Sequence, residues 1–222
     1  MASCGADGTF EGMKPSSVVQ CETFPCADVD HGRFVVPGVE LDPDQISVVM
    51  VSEAAPAVLE DWFYGGPGAL FAETTVQAFR DAGENVSSVA DILDLGVYLT
   101  TAVKCGKRGY GVSTETVKTC SQLLERELGL FPFARALMLM GDVAIKAVNA
   151  IARRNGEPRV IPAGSTYKLR GGDFSFRMMR VFPSYVQAGP SFFIEKSKRR
   201  MIAEDIAAAL AHVRSRARPE SA

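Results

Sequence analysis

Five cysteines, two histidines and a few carboxylates at strand ends are the side chains with the means to do chemistry in this 222-residue chain. Cys21 and Cys26 form a C-x4-C pair, and Cys105 and Cys120 form a C-x14-C pair. A turn-borne pair plus two distant thiolates can close a four-sulfur site for an iron–sulfur cluster or a zinc ion. The spacing alone also suits Cys120 as a core residue and the other thiols as incidental, because unbound cysteine is commonly buried. Among the acids, Glu53 follows a short apolar run, and Glu60 and Asp61 form a pair soon after it. Basic residues gather twice, as Lys104, Lys107 and Arg108 around Cys105, and as Lys196, Lys198, Arg199 and Arg200. Such runs neutralise phosphates in nucleic-acid-binding proteins, and elsewhere form a solvated face.

The elements that must position these groups follow from periodicity. Residues 46–51 form a short apolar run that suits a buried parallel strand, and a Gly/Pro-rich turn at 65–68 leads to a helix over about 69–82. Residues 97–103 are rich in β-branched and aromatic types and read as a second strand. Ser113 is placed to cap a helix with an apolar stripe of Val117, Cys120, Leu124 and Leu128. Residues 136–140 form a third strand, running through Gly141 into a helix opened by Asp142. Further strands are expected around 167–169 and 174–182, then a long helix over about 192–214. Strand and crossover helix in alternation give a mostly parallel sheet with helices on both faces. Ligands bind beyond the carboxyl ends of such strands, so the residues after Val51, Val103, Met140 and Phe182 should converge on one site.

The totals set limits. Residues 1–17 are polar and glycine-rich and read as a loose tail, followed by one domain over 18–216 and a short tail over 217–222. At 47% hydrophobic and 23% charged residues the chain is neither disordered nor membrane-like. No apolar run is long enough to span a bilayer, and the N-terminus has no secretory pattern, so a cytoplasmic monomer is expected. Thiols there are metal ligands or free, not disulfides. A net charge of −2 leaves room for a local nucleic-acid-binding face.

Several segments together resemble the iron–sulfur branch (family 4) of the uracil-DNA glycosylases. That family runs a strand into Gly-Glu-Ala-Pro-Gly, then an acidic pair, then Pro-Phe-Val-Gly-x-Ala-Gly. Here the stretch is Val51-Ser-Glu-Ala-Ala-Pro56, Glu60-Asp61, then Trp62-Phe-Tyr-Gly-Gly-Pro-Gly68. The family's Tyr-Ile-Thr-Asn-Val-Val-Lys-Cys is similar to Tyr98-Leu-Thr-Thr-Ala-Val-Lys-Cys105, with Cys120 downstream. Leu139-Met-Gly-Asp-Val-Ala144 resembles the third motif, and Val181-Phe-Pro-Ser-Tyr185 resembles the last. The similarity is collinear from about Cys21 to Asp205.

The resemblance implies a three-layer α/β/α fold around a central, mostly parallel four-stranded sheet. It implies a [4Fe-4S] cluster, with zinc the alternative, on Cys21, Cys26, Cys105 and Cys120, leaving Cys4 without a counterpart. It implies DNA as partner, single-stranded or damaged duplex, and hydrolysis of the N-glycosidic bond of a flipped-out base, with uracil the default. Glu53 resembles the catalytic carboxylate, Glu60 a possible assistant, and Phe63 the base-stacking ring. Thr101 stands at the Asn position, and the motif's His-Pro is replaced by Val186-Gln187. Ser184, Tyr185 and Gln187 then remain to contact the base. His31 and His212 lie elsewhere in the sequence, so a non-catalytic DNA-binding or damage-sensing protein is the alternative.

Overall fold

The computed structural model describes residues 12–109 and 111–217, so Cys4, Tyr110 and residues 218–222 fall outside the described residues. In chain order the elements are α1 (Pro15–Val18), β1 (Val29–Asp30), β2 (Val48–Ala55), α2 (Leu70–Asp81), α3 (Val89–Asp94), β3 (Val97–Lys107), α4 (Thr114–Leu128), β4 (Ala136–Met140), α5 (Asp142–Arg154), α6 (Thr166–Leu169), β5 (Phe174–Phe176), β6 (Met179–Ser184), α7 (Ser191–Ile194) and α8 (Lys196–Ala217).

The strands form one sheet in the order β1-β3-β2-β4-β6-β5. Its centre, β3-β2-β4-β6, is parallel, as the alternation of strand and helix requires. Two short antiparallel strands, β1 and β5, extend the expected four-stranded sheet at its edges. The central strands are buried on both faces and split their side chains by the two-residue period. Val49, Val51, Tyr98, Leu137 and Leu139 pack beneath α4 and α5. Val48, Met50, Val97, Leu99, Met138 and Met140 pack with α2 and α8 on the opposite face. Helices therefore cover both faces, giving three layers.

Local chemistry sets the helix starts. Ser113 Oγ accepts from Thr116 N at the head of α4, and Ser88 and Asp91 form a capping box on α3. The outer edge of β3 is closed by loop groups: Tyr64 Oη both donates to Leu99 O and accepts from Leu99 N, and Val35 N donates to Lys104 O. An edge so capped cannot template pairing with another chain.

Three expectations are corrected. Residues 167–169 belong to the one-turn helix α6, too short to show a helical period. The stretch at 174–182 is the β5–β6 hairpin, turned at Arg177 with φ +54°. The last helix is broken at Glu195, whose backbone is non-helical, separating α7 from α8. Within the expected N-terminal tail, residues 12–17 include a bridge between Met13 and Leu41 and part of α1. No helix among the described residues is long and apolar enough to cross a membrane.

Candidate functional site

The carboxyl ends of β2, β4 and β6 meet at Glu53, Gly141 and Val186. Gly141 has φ +99°, and a Cβ there would lie 2.5 Å from Val186 Cγ2 and 2.7 Å from Glu53 Oε1. Glycine is thus required both by the backbone and by the carboxylate resting on it. Glu53 keeps about a quarter of its side chain exposed, and its Oε2 lies 3.8 Å from Lys107 Nζ at the end of β3. A partly exposed carboxylate beside a cation, at the parallel-strand ends, is suited to stabilise positive charge on a sugar or to orient water. Glu60 is exposed in a turn beyond this rim.

The residues expected to hold a base are largely turned inward. Gln187 is fully buried: its Oε1 accepts from Ser52 Oγ at 2.9 Å, and its Nε2 reaches Met50 Sδ and Thr75 Oγ1. It anchors the loop after β6 and leaves Val186 to face Glu53. Ser184 is also buried, and its Oγ donates to Asp205 of α8 at 2.6 Å. Arg170 clamps that carboxylate from the other side. Burial pushes Asp205 up from its ordinary value, against the pull of Ser184 and Arg170. Thr101 Oγ1 is used on Val103 O. Phe63 is 1% exposed, packed between Trp62 and Phe71, and lines a groove of about 990 Å³ with Trp62 and Tyr64. Tyr185 is half-buried, with Lys198 Nζ 5.4 Å from its ring centroid.

The basic residues divide. Lys104 is fully buried and cannot reach a phosphate. Its Nζ pairs with the equally buried Glu127 and donates to Thr100 Oγ1 at 2.7 Å and Thr101 O at 2.5 Å. Glu127 also accepts from Tyr98 Oη and Thr100 Oγ1, so the pair is saturated, as a buried charge must be. The two-residue period explains the misplacement: Lys104 shares the face of Tyr98 and Thr100, beneath Glu127 of α4. Arg199 is bound through two nitrogens to Asp81, whose carboxyl it holds below the usual range. Lys198 pairs with Glu195 and also faces Tyr185. Arg108, Lys196 and Arg200 are exposed, Arg200 with Glu204 at 3.7 Å.

The four expected cysteines do come together. Cys21, Cys26, Cys105 and Cys120 line one cavity of about 280 Å³, with Phe24, His31 and Phe34 in its wall. All four are free thiols. Asp28 ties the Cys26 loop to α4, accepting from Ser113 N at 2.7 Å and from Thr116 Oγ1. Lys104 N donates to Cys120 Sγ at 3.2 Å. Burial, reinforced by the neighbouring sulfurs, pushes Cys105 up to about 12. Burial pushes Cys120 up to about 11, although the Lys104 N–H pulls the other way. Among the described residues no group of three or more His, Cys, Asp or Glu side chains closes on a single metal ion.

Sequence reasoning missed Lys107 as a partner of Glu53, Glu127 as a core acid, and the Arg170–Asp205 clamp. Glu127 had a signal: it falls three residues after Leu124 on the apolar stripe of α4.

No family model matches the sequence. A stretch of 99 residues is 30% identical to a type-5 uracil-DNA glycosylase of Thermus thermophilus, covering 45% of this chain and 45% of that protein. The match spans less than half the relative's length and supports a place for the chain in the uracil-DNA glycosylase superfamily.

Proposed function

We propose that this protein is a DNA-base glycosylase that hydrolyses the N-glycosidic bond of a flipped-out base, with uracil as the default substrate. The observation that carries the reading is the meeting of Glu53, Gly141 and Val186 at the strand ends where the family resemblance puts its catalytic rim. The similarity to a type-5 uracil-DNA glycosylase agrees with it.

In this reading the bond from the sugar C1′ to the base nitrogen breaks and its electron pair leaves with the base. The Glu53 carboxylate stabilises the positive charge on C1′ and orients the water that adds there, and the proton that water loses passes to the departing base anion. Lys107, 3.8 Å from Glu53, brings a positive charge to the rim, where DNA phosphates approach. Stacking a base on Phe63 requires the loop at 59–68 to move outward, because the ring is packed by Trp62 and Phe71. Arg108, Lys196 and Arg200 are the exposed cations left to meet the DNA backbone.

Cys21, Cys26, Cys105 and Cys120 would hold a [4Fe-4S] cluster. Sulfurs spread around a cavity suit a multi-atom group, whereas a single zinc draws four sulfurs to about 2.3 Å of one point. Buried thiols with raised ionisation values become thiolates when a metal supplies the positive charge. The cluster would tie the Cys21–Cys26 loop to β3 and α4.

A second reading, an iron–sulfur DNA binder without base release, is favoured by one observation: no imidazole stands at the rim among the described residues. His31 lines the cysteine cavity and His212 packs on Phe182. The test is abasic-site cleavage after incubating anaerobic protein with a single-stranded oligonucleotide bearing one uracil. Cleavage that disappears in Glu53→Gln supports the glycosylase. Salt-sensitive binding without cleavage supports the binder.

A further inference from the structure

The cysteine-lined cavity holds one polar atom that nothing else accounts for. His31 Nε2 is buried without a hydrogen-bond partner among the described residues, and the His31 ring lines the same cavity as the four thiols. Leaving a buried donor unsatisfied forfeits its hydration without return, so an orphan of this kind calls for a partner. The ring is fixed in place: it packs on Phe24 at 5.3 Å between centroids, and Phe24 packs edge-on against Phe34. Its backbone is fixed too, because Phe34 N donates to His31 O and Asp30 Oδ1 accepts from Gly32 N.

We infer that His31 donates a hydrogen bond from Nε2–H to a sulfur of the group held by Cys21, Cys26, Cys105 and Cys120. The inference rests on the cluster reading above and assigns a role to a residue outside the four-cysteine set. A cluster on four thiolates carries net negative charge concentrated on sulfur. Elsewhere on these sulfurs the backbone N–H of Lys104 donates to Cys120. The rest of the wall mixes apolar Phe24, Phe34 and Leu123 with polar Thr119, Gln122 and Arg126. A donor to sulfur stabilises the reduced, more negative state more than the oxidised one. It therefore raises the reduction potential. Four cysteines already satisfy four irons, so His31 is a positioning and tuning residue, not a ligand.

The test uses the full chain purified anaerobically, with iron and sulfide quantified first. The sequence has two histidines, so labelling histidine with ¹⁵N is nearly site-specific. Pulsed EPR of the reduced wild-type cluster should show coupling to ¹⁵N-histidine, and the coupling should survive His212→Gln. In redox titrations His31→Phe, which keeps the stacking on Phe24, should lower the midpoint potential at unchanged iron content. His31→Gln, which keeps an N–H donor, should stay closer to wild type. No histidine coupling in the wild type, or an unmoved midpoint in His31→Phe with the cluster intact, overturns the inference and leaves the cluster reading standing. Iron-free or zinc-loaded protein overturns both together.

Discussion

The cysteine cavity and the rim around Glu53 flank the same end of β3, two residues apart at Cys105 and Lys107, yet they depart from the family pattern to different degrees. At the cavity all four expected thiols line one space, with the first pair spaced C-x4-C. At the rim the carboxylate and the glycine beneath it are in place, but Gln187, Ser184 and Thr101 spend their polar atoms inside the protein. A four-sulfur cage asks only that sulfurs reach a common space, so a loop can lengthen without spoiling it. Catalysis asks for groups aimed at reacting atoms, and there a changed residue is absorbed by the core.

The largest effect expected between these regions is on stability. Glu127→Gln removes the charge opposite Lys104 and leaves a buried ammonium, so it should cost about 3–5 kcal/mol in urea denaturation. That loss would show that the Lys104 region is core, not DNA surface. At the rim, Glu53→Gln should lower the rate of base release roughly 10²–10³-fold, with DNA affinity measured in parallel and little changed.

A smaller effect separates structural from DNA-facing cations. Arg199 lowers the pKa of Asp81 and so favours its ionised form; this pair stabilises the fold above the unfolded carboxyl value of 3.8 and loses that contribution as pH falls through the lower folded value. Asp81→Asn should therefore be less stable than wild type at neutral pH, by roughly 0.5–1 kcal/mol. The gap should close in thermal melts as pH drops below 3.8. Smallest of all, neutralising Arg108, Lys196 or Arg200 should each reduce the slope of log affinity against log salt by about 0.7–0.9, while Arg199→Gln leaves it unchanged.

How much of this was legible in the sequence follows from the range of each interaction. The strand at 136–140 and the Ser113 cap depend on local propensity and were readable as such. The α6 turn and the β5–β6 hairpin are too short to carry a period, and no glycine or proline marks the break at Glu195. The placement of Glu53 at the carboxyl ends of the parallel strands was legible from the apolar run that precedes it. Lys104 was misread because its basic neighbours suggest a charged surface, although the two-residue period sets it with Tyr98 and Thr100 opposite Glu127 of α4. Gln187 was misread because its partners Ser52 and Thr75 are more than a hundred residues away in sequence.

On the function proposed above, Glu53 at this rim cleaves a glycosidic bond with no neighbouring imidazole among the described residues. The most direct measurement is mass-spectrometric detection of free uracil under single-turnover conditions, with anaerobic wild-type protein and Glu53→Gln in parallel. Free base from the wild type, stoichiometric with DNA and strongly reduced in the variant, is the predicted result. DNA that stays bound and intact, or equal release by both proteins, would contradict it.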